Sequence, residues 1–264
     1  MRSNLNLSLR TLDKFSLLLH GGPGTGKTHL MGDALAYEPG LVAYINVAGQ
    51  DGWLSLAEYD LGDIHSETVE TLEDFLACMQ DLTAMGLQMC ALDSVRDLFR
   101  LCVINTTGLD RPPKAGAQNN EYTQIYFDFE KSLRVFKDCA RRVITCSTSD
   151  RSTDQLSSQV NVVPDLPGRW GNGIAGLFDF VGYIHASTVM GKIRRNLSFQ
   201  PMTLSVSNTN SINILTRQRL AHAIAKDIEI PAGPGGWEQV LKTFESHLTG
   251  EVQEELPTKK WKKG

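Results

Sequence analysis

The sequence lacks several features that would assign the protein to particular classes. Its longest apolar runs, such as the one ending at Leu17–Leu19, are far too short to span a bilayer. The first ten residues alternate polar and apolar types and lack the continuous apolar segment of a secretory signal. Its five cysteines form no CxxC motif and no Cys/His cluster, so we interpret them as buried free thiols. These absences predict a cytoplasmic protein with no membrane partner.

A net positive charge is also missing, because the formal net charge is −4 at pH 7. This excludes a protein that coats DNA through overall basicity, although a local basic patch could still bind nucleic acid. The content of 41% apolar and 21% charged residues is that of an ordinary globular domain. We predict one domain over residues 1–250 and a charged, disordered tail over 251–264, where four lysines surround Trp261.

Apolar strands alternate with amphipathic helices through the first 150 residues, which predicts a mainly parallel sheet with helices on both faces. The predicted strands are 15–20, 41–47, 87–92 and 143–147, and the predicted helices are 28–37, 69–85, 94–103, 121–141 and 237–248. Segments 106–120 and 150–173 are predicted loops. Neighbouring strands at 178–186 and 192–200 predict an antiparallel C-terminal extension, with a further strand near 202–207 or 212–215.

Residues 21–28, GGPGTGKT, match the phosphate-loop pattern G-x-x-x-x-G-K-[ST] between a predicted strand and a predicted helix. Glycines let backbone N–H groups converge on phosphates, and the helix N-terminus adds a favourable dipole. Lys27 would reach the β- and γ-phosphates, and the Thr28 hydroxyl would bind Mg²⁺. The predicted nucleotide-binding residues are Gly21, Gly22, Pro23, Gly24, Thr25, Gly26, Lys27, Thr28 and His29. The sequence therefore predicts a site for ATP with Mg²⁺.

A phosphate loop needs an acidic group at the end of a nearby buried strand to hold the magnesium shell. Asp93 follows the apolar segment 87–92 and meets this requirement. The alternative interpretation is that Asp93 caps the helix beginning at Ser94, and one carboxylate could do both.

The order of these parts resembles the RecA-type ATPase core. Asp93-Ser94 lacks the following Glu that is usual in the AAA+ type, and Trp170-Gly171-Asn172-Gly173 leads into a Phe178-Asp179 strand. The compact length is similar to core-only RecA-like P-loop NTPases of bacteriophages, the Sak-type recombination proteins and their nucleotide-binding relatives. Ile224–Asp227 is similar to a Lys-Asp-Arg element of that group, although Ile228 stands where its Arg would be. The resemblance covers about residues 15–230.

The resemblance implies that the two predicted loops face single-stranded DNA. The residues it implies for nucleic-acid binding are Arg111, Lys114, Arg151, Arg169 and Trp170. Cationic side chains neutralise the phosphate backbone, and an aromatic ring can stack on a base without regard to sequence. Two solvated loops with ordinary surface charges, and Trp170 packed on the domain, are the alternative.

The resemblance also implies catalytic roles. A glutamate after the second strand orients water in the family, but Ala48 lies near that position, so Asp51 or Gln50 would have to substitute. Ser147, with Thr148 and Ser149, is implied as the sensor of the γ-phosphate. Lys226 is the candidate cation that acts on a neighbouring subunit, and Arg217 and Arg219 are the reserve candidates.

Together these features predict a slowly hydrolysing, DNA-stimulated ATPase that forms a ring or filament on single-stranded DNA during phage-type recombination or replication. A single-strand-binding protein is a candidate partner, and the bacterial host cytoplasm is the expected location if a phage encodes the chain. Two alternatives stay open at this stage: a hexameric DNA helicase or translocase motor, and a non-hydrolysing ATP-dependent scaffold or switch.

Overall fold

The computed structural model describes residues 12–47, 52–62, 64–110, 119–153, 160–167, 170–205, 211–220 and 222–249. Its strands are β1 (Phe15–Gly21), β2 (Val42–Val47), β3 (His65–Val69), β4 (Leu87–Asp93), β5 (Ala140–Thr153), β6 (Val160–Pro164), β7 (Phe180–Val189), β8 (Lys192–Ser198), β9 (Met202–Ser205), β10 (Ser211–Ile214) and β11 (Ile228–Ile230). Its helices are α1 (Lys27–Tyr37), α2 (Trp53–Leu56), α3 (Leu72–Met85), α4 (Val95–Thr107), α5 (Asn119–Asp138), α6 (Trp170–Gly173) and α7 (Gly236–Thr249), with a 3₁₀ turn at Ile174–Leu177.

The main sheet has the strand order β3-β2-β4-β5-β1-β7-β8-β11. The strands from β3 to β7 are parallel, whereas β8 pairs antiparallel with both β7 and β11. The strand that precedes the phosphate loop, β1, is therefore separated from the strand that ends in Asp93, β4, by β5 alone. This is the mainly parallel sheet with an antiparallel C-terminal extension that the sequence predicts for a RecA-like P-loop NTPase, and the fold prediction is confirmed.

A small second sheet grows from the far end of β5. Strand β6 pairs antiparallel with β5 over Ser149–Thr153, β10 pairs parallel with β6, and β9 pairs antiparallel with β10. The prediction of a continuous loop over 150–173 is therefore wrong, because β5 runs on to Thr153, past the predicted strand end at 147, and β6 returns beside it. Within that span, residues 154–159 and 168–169 lie outside the described part of the chain.

Helices cover both faces of the main sheet. Helices α3, α4 and α5 pack on one face around Phe75, Phe129 and Phe136, which are completely buried. Helices α1 and α7 pack on the other, where the Phe180 and Phe244 rings stack 4.3 Å apart. Two covered faces explain why β1 is buried at every position and has three consecutive leucines at its centre.

Helix α7 is fixed to α1 by directed hydrogen bonds as well as by apolar contact. The Asp33 carboxylate accepts the backbone N–H groups of Gly235, at 3.0 Å, and Trp237, at 2.6 Å. An acidic side chain near the first turn of a helix also interacts favourably with the helix dipole. The Trp237 indole N–H donates at 2.9 Å to Glu38, which directly follows α1, so α7 is held against the helix that follows the phosphate loop.

Other boundaries differ from the sequence prediction in identifiable ways. Strand β3 was not predicted, because its residues HSETV are mostly polar and it lies at the edge of the sheet. Both candidate segments after residue 200 form strands, β9 and β10. The predicted tail, 251–264, lies outside the described residues. Within the described residues no helix is long and apolar enough to cross a membrane.

Candidate nucleotide site

The predicted phosphate loop connects β1 directly to α1. Gly24 and Gly26 have φ values of 71° and 98°, a left-handed conformation that side chains other than glycine rarely adopt. Gly21 lies so close to β7 that a Cβ atom there would be 2.2 Å from the Ile184 carbonyl oxygen. These glycines let the loop turn sharply at the carboxyl edge of the sheet, where the backbone N–H groups of the first turn of α1 have no helical partner.

Lys27 lies folded over this loop. Its side chain is buried, and its Nζ donates to the carbonyl oxygens of Gly21 at 3.0 Å and Gly22 at 2.8 Å. Burial lowers the pKa of Lys27, and the charge of the nearby Asp93 carboxylate opposes this decrease. The ammonium group is thus held inside the loop that would surround the phosphates, where an anion would meet little competing solvent.

Asp93 ends β4 and accepts hydrogen bonds from three elements. The Thr28 hydroxyl donates to Oδ2 at 3.1 Å, the Tyr44 hydroxyl donates to Oδ2 at 3.2 Å, and the Cys146 thiol donates to Oδ1 at 3.1 Å. Burial, followed by the charge of Asp93, raises the pKa values of the Tyr44 hydroxyl and the Cys146 thiol, so both stay protonated donors. The structure therefore brings together Thr28 and Asp93, the two predicted magnesium ligands.

The alternative role of Asp93 as a helix cap is not observed. Ser94 is the N-cap of α4, because its side-chain oxygen accepts the backbone N–H of Asp97 at 3.4 Å. The peptide bond between Asp93 and Ser94 is cis. The Asp93 carboxylate accepts a hydrogen bond from the Thr28 hydroxyl instead of capping α4.

The hydroxyl residues that end the predicted strand before the second loop lie beside the phosphate loop. Ser147 and Thr148 pair in register with His20 and Gly21. Ser147 is completely buried, and its hydroxyl donates to the Thr148 carbonyl oxygen at 2.9 Å. The strand register thus places Ser147 next to the phosphate loop, as a sensor of bound phosphate would require.

His20, directly before the phosphate loop, is a buried polar residue that sequence reasoning missed. Its Nε2 lies 2.6 Å from the Leu215 carbonyl oxygen, and its Nδ1 lies 2.9 Å from the Ser149 hydroxyl. Because a carbonyl can only accept, Nε2 carries the proton and Nδ1 accepts from Ser149. Burial is the main cause that lowers the pKa of His20 to about 4. The available signal was its position directly before Gly21, at the end of the strand that carries the loop.

A cleft of about 430 Å³ opens beside the phosphate loop. Gly24, Gly26, Lys27, Thr28, His29, Ser55, Glu58, Arg195 and Ala232 line it. Sequence reasoning missed the last four of these, which come from α2, the segment after it, β8 and the segment after β11. The mixture of a phosphate loop, a buried lysine, a paired Thr28 and Asp93, and a cleft of this size fits a nucleotide with its magnesium ion.

The reserve candidates for an intersubunit cation are engaged within their own chain. Arg217 donates to the Ala175 carbonyl oxygen at 2.7 Å, and its backbone bridges to Val181. Arg219 forms an ion pair with Asp179 at 2.8 Å. Lys226 is exposed between β10 and β11, and its role stays a prediction.

The predicted nucleic-acid residues have different outcomes. Arg151 is exposed on β5. The prediction that Trp170 stacks on a base is wrong. Trp170 is 6% exposed and packs edge-on against the rings of Tyr126 and Phe129, so its indole is not accessible to a base. Arg111, Lys114 and Arg169 lie outside the described residues, as do Asp51, Gln50 and Ala48.

Comparison with protein families identifies the class. The model of a family described as an AAA domain matches residues 13–210, three quarters of the chain. The chain belongs to this AAA-domain family. Membership implies the use of ATP and Mg²⁺ in general terms, so the P-loop ATPase part of the sequence resemblance is confirmed. Membership of the phage Sak-type group stays a prediction.

Two solved structures are similar to this AAA-domain protein at low sequence identity. No curated protein sequence matches it. The flagellar accessory protein FlaH from Methanocaldococcus jannaschii is 10% identical, with a TM-score of 0.40, over 70% of this chain and 76% of its own. A KaiC-like protein from Pyrococcus horikoshii is 14% identical, with a TM-score of 0.45, over 82% of this chain and 89% of its own.

Proposed function

We propose that the protein binds ATP with Mg²⁺ in the cleft beside the phosphate loop and hydrolyses it slowly. The observation that carries this proposal is the 3.1 Å hydrogen bond from Thr28 to Asp93, with the Lys27 ammonium buried beside it. Thr28 and Asp93 would hold the magnesium ion, which neutralises charge on the β- and γ-phosphates when bound. Lys27 would exchange its bonds to Gly21 and Gly22 for phosphate oxygens.

Asp51 is the residue that we propose to orient the attacking water, with Gln50 as the alternative. The support comes from Gly52, its neighbour in sequence. A Cβ atom at Gly52 would lie 2.8 Å from Asp93 Oδ2 and 2.3 Å from the Tyr44 hydroxyl oxygen. The chain next to Asp51 therefore passes against the metal-binding carboxylate, and a carboxylate or amide there can align water without a further cofactor.

Ser147 is proposed to sense the γ-phosphate and to relay its presence along β5. This strand continues without a break from Ser147 to the exposed Arg151, four residues or about 13 Å away. Arg151, with Arg111, Lys114 and Arg169, is proposed to bind the phosphates of single-stranded DNA. Because the β-strand β5 carries both Ser147 and Arg151, a shift of β5 at the nucleotide site would also move the proposed DNA-binding surface.

The protein is further proposed to assemble into a ring or filament in which Lys226 approaches the nucleotide of the neighbouring subunit. Its exposure in the segment before β11 is consistent with such a contact. In this proposal ATP orders the DNA-binding surface, and hydrolysis releases the strand during phage-type recombination or replication, where a single-strand-binding protein is the candidate partner.

The test measures ATP hydrolysis and ATP binding separately for the full chain. Wild type, Lys27→Ala and Lys226→Ala are compared with and without single-stranded DNA at two protein concentrations. We expect Lys27→Ala to lower the rate by about a hundredfold or more, since one charge-stabilising donor to the reacting group is lost. DNA should raise the wild-type rate, and the rate per molecule should rise with protein concentration only when Lys226 is present.

Other outcomes separate the alternatives. ATP bound with no turnover under any condition would contradict hydrolysis and leave the scaffold or switch. Directional unwinding of duplex DNA, coupled to turnover, would favour the helicase motor. A rate that neither DNA nor protein concentration changes would remove the DNA and assembly parts of the proposal while leaving the ATPase intact.

A further inference from the structure

Three buried polar atoms without a hydrogen-bond partner among the described residues gather at the rim of the nucleotide cleft. They are His29 Nε2, the Tyr59 hydroxyl and Arg195 Nε. The His29 and Tyr59 rings lie 5.1 Å apart, and His29 and Arg195 both line the cleft. Burial raises the pKa of Tyr59, and the positive charge of Arg195 opposes that rise, which places Arg195 beside the same ring. Such clustering is unusual, because most buried polar atoms in folded proteins are hydrogen-bonded.

Arg195 reaches the phosphate loop from the antiparallel extension. Its backbone is held between two strands, paired with Ala186 of β7 and Ile230 of β11. A Cβ atom at Gly26 would lie 2.8 Å from Arg195 Cδ and 3.1 Å from its Nε. The stem of the arginine therefore crosses the loop at the position where only a glycine leaves room for it, directly before Lys27.

The charge of Arg195 is not neutralised within the part of the chain that the structure describes. No carboxylate there forms an ion pair with it, although the adjacent Arg194 lies 3.8 Å from Glu229. Glu58 lines the same cleft but lies 3.9 Å from His29. The buried Nε of Arg195 therefore has an unused donor, and an anionic ligand in the cleft would supply the acceptor.

We propose that Arg195 binds phosphate oxygens of the nucleotide held on its own chain. This inference rests on the proposed nucleotide site and deepens it. A guanidinium presents parallel N–H donors that match two phosphate oxygens, and it keeps its charge at any working pH. Lys27 would approach the phosphates from inside the loop, and Arg195 would approach them from across Gly26. Arg195 would therefore contribute to affinity in an isolated subunit, unlike Lys226, which needs a neighbour.

The test measures the dissociation constants of fluorescent ATP and ADP analogues for the dilute protein, so that turnover and assembly play no part. Arg195→Ala should weaken binding of both by about tenfold to a hundredfold, as expected for the loss of hydrogen bonds to charged oxygens. Arg195→Lys should recover part of the loss. Arg194→Ala, on the same strand with its side chain half exposed, is the matched control and should bind as wild type does.

Competition with inorganic tripolyphosphate identifies the atoms that Arg195 contacts. If the guanidinium binds phosphate, Arg195→Ala should lose affinity for tripolyphosphate as well as for nucleotides. A loss for nucleotides alone would overturn the phosphate assignment, and unchanged affinity for all three in a folded Arg195→Ala variant would overturn the inference as a whole. Lys27→Ala distinguishes failure of this inference from failure of the proposed function. If wild type binds no nucleotide, or if Lys27→Ala binds it as tightly as wild type does, the proposed function itself is wrong.

Discussion

The floor and the rim of the nucleotide cleft differ in how their polar groups are satisfied. On the floor, Lys27 donates to loop carbonyls and Asp93 accepts from Thr28, Tyr44 and Cys146. On the rim, His29, Tyr59 and Arg195 each bury a polar atom for which the described residues supply no hydrogen bond. Both sets of residues line or adjoin one cleft, so the difference does not come from solvent access alone.

The difference indicates two ways to prepare a binding site. A floor whose donors and acceptors are already bonded holds its geometry before the ligand arrives, and it needs little reorganisation when phosphate replaces the loop carbonyls. A rim with buried unpartnered atoms is held in place by packing, and in our proposal one of its residues, Arg195, forms its hydrogen bonds with the ligand. We therefore expect substitutions on the floor to change the stability of the free protein and substitutions on the rim to change mainly ligand affinity.

The largest expected effect on the stability of the free protein comes from adding a side chain at Gly21, where the phosphate loop packs closely against β7. Gly21→Ala would place a Cβ atom 2.2 Å from the Ile184 carbonyl oxygen, so backbone must move. We expect a loss of about 3 kcal/mol in the free energy of unfolding, measured by urea denaturation. Gly24→Ala is the matched control, because its Cβ atom would meet no atom within 4 Å and only its φ of 71° resists the change.

Gly24→Ala should lower the free energy of unfolding by about 1 kcal/mol, which is the cost of a left-handed conformation for alanine. Equal decreases in the free energy of unfolding for the two variants would show that Gly21 does not pack tightly against β7. The floor would then not be rigid in the way that the comparison with the rim requires.

The phosphate loop and Asp93 of the floor could be predicted from the sequence, whereas on the rim only His29 could, for a physical reason. The phosphate loop and Asp93 are local signals, because each combines a short motif with an adjoining apolar strand. Arg195 reaches Gly26 only because β8 folds back along β7, so no spacing in the sequence connects them. Trp170 was assigned to the wrong surface for the same kind of reason, since its burial against Tyr126 and Phe129 depends on how α5 packs.

The stability of the fold should depend on pH through His20, which connects the floor to the second sheet. Its pKa falls from 6.5 in the unfolded chain to about 4 in the fold, so the unfolded state binds more protons between these values. Stability should therefore be lost as pH falls below 6.5, by about 2 kcal/mol at pH 5. The groups that face the ring include Lys27, whose charge also lowers its pKa, and Tyr183, whose ring lies 5.2 Å away.

Urea denaturation at pH 7 and pH 5 checks this prediction with His20→Gln, which cannot titrate in this range. The difference in stability between the two pH values should be about 2 kcal/mol smaller in the variant than in wild type. Carboxylates titrate in both proteins and cancel. The same pH dependence in the variant would mean that His20 is not the responsible group.

The smallest effects come from two buried tyrosines whose hydroxyl groups differ in hydrogen bonding, so they test the comparison directly. The Tyr44 hydroxyl on the floor donates to Asp93 at 3.2 Å, whereas the buried Tyr59 hydroxyl on the rim finds no acceptor among the described residues. Tyr44→Phe should lower the free energy of unfolding by about 1.5 kcal/mol, because a bond to a buried carboxylate is lost. Tyr59→Phe removes a hydroxyl that forms no such bond, so stability should stay the same or rise slightly. If Tyr59→Phe destabilised the free protein as much as Tyr44→Phe, the rim would be as fully bonded as the floor.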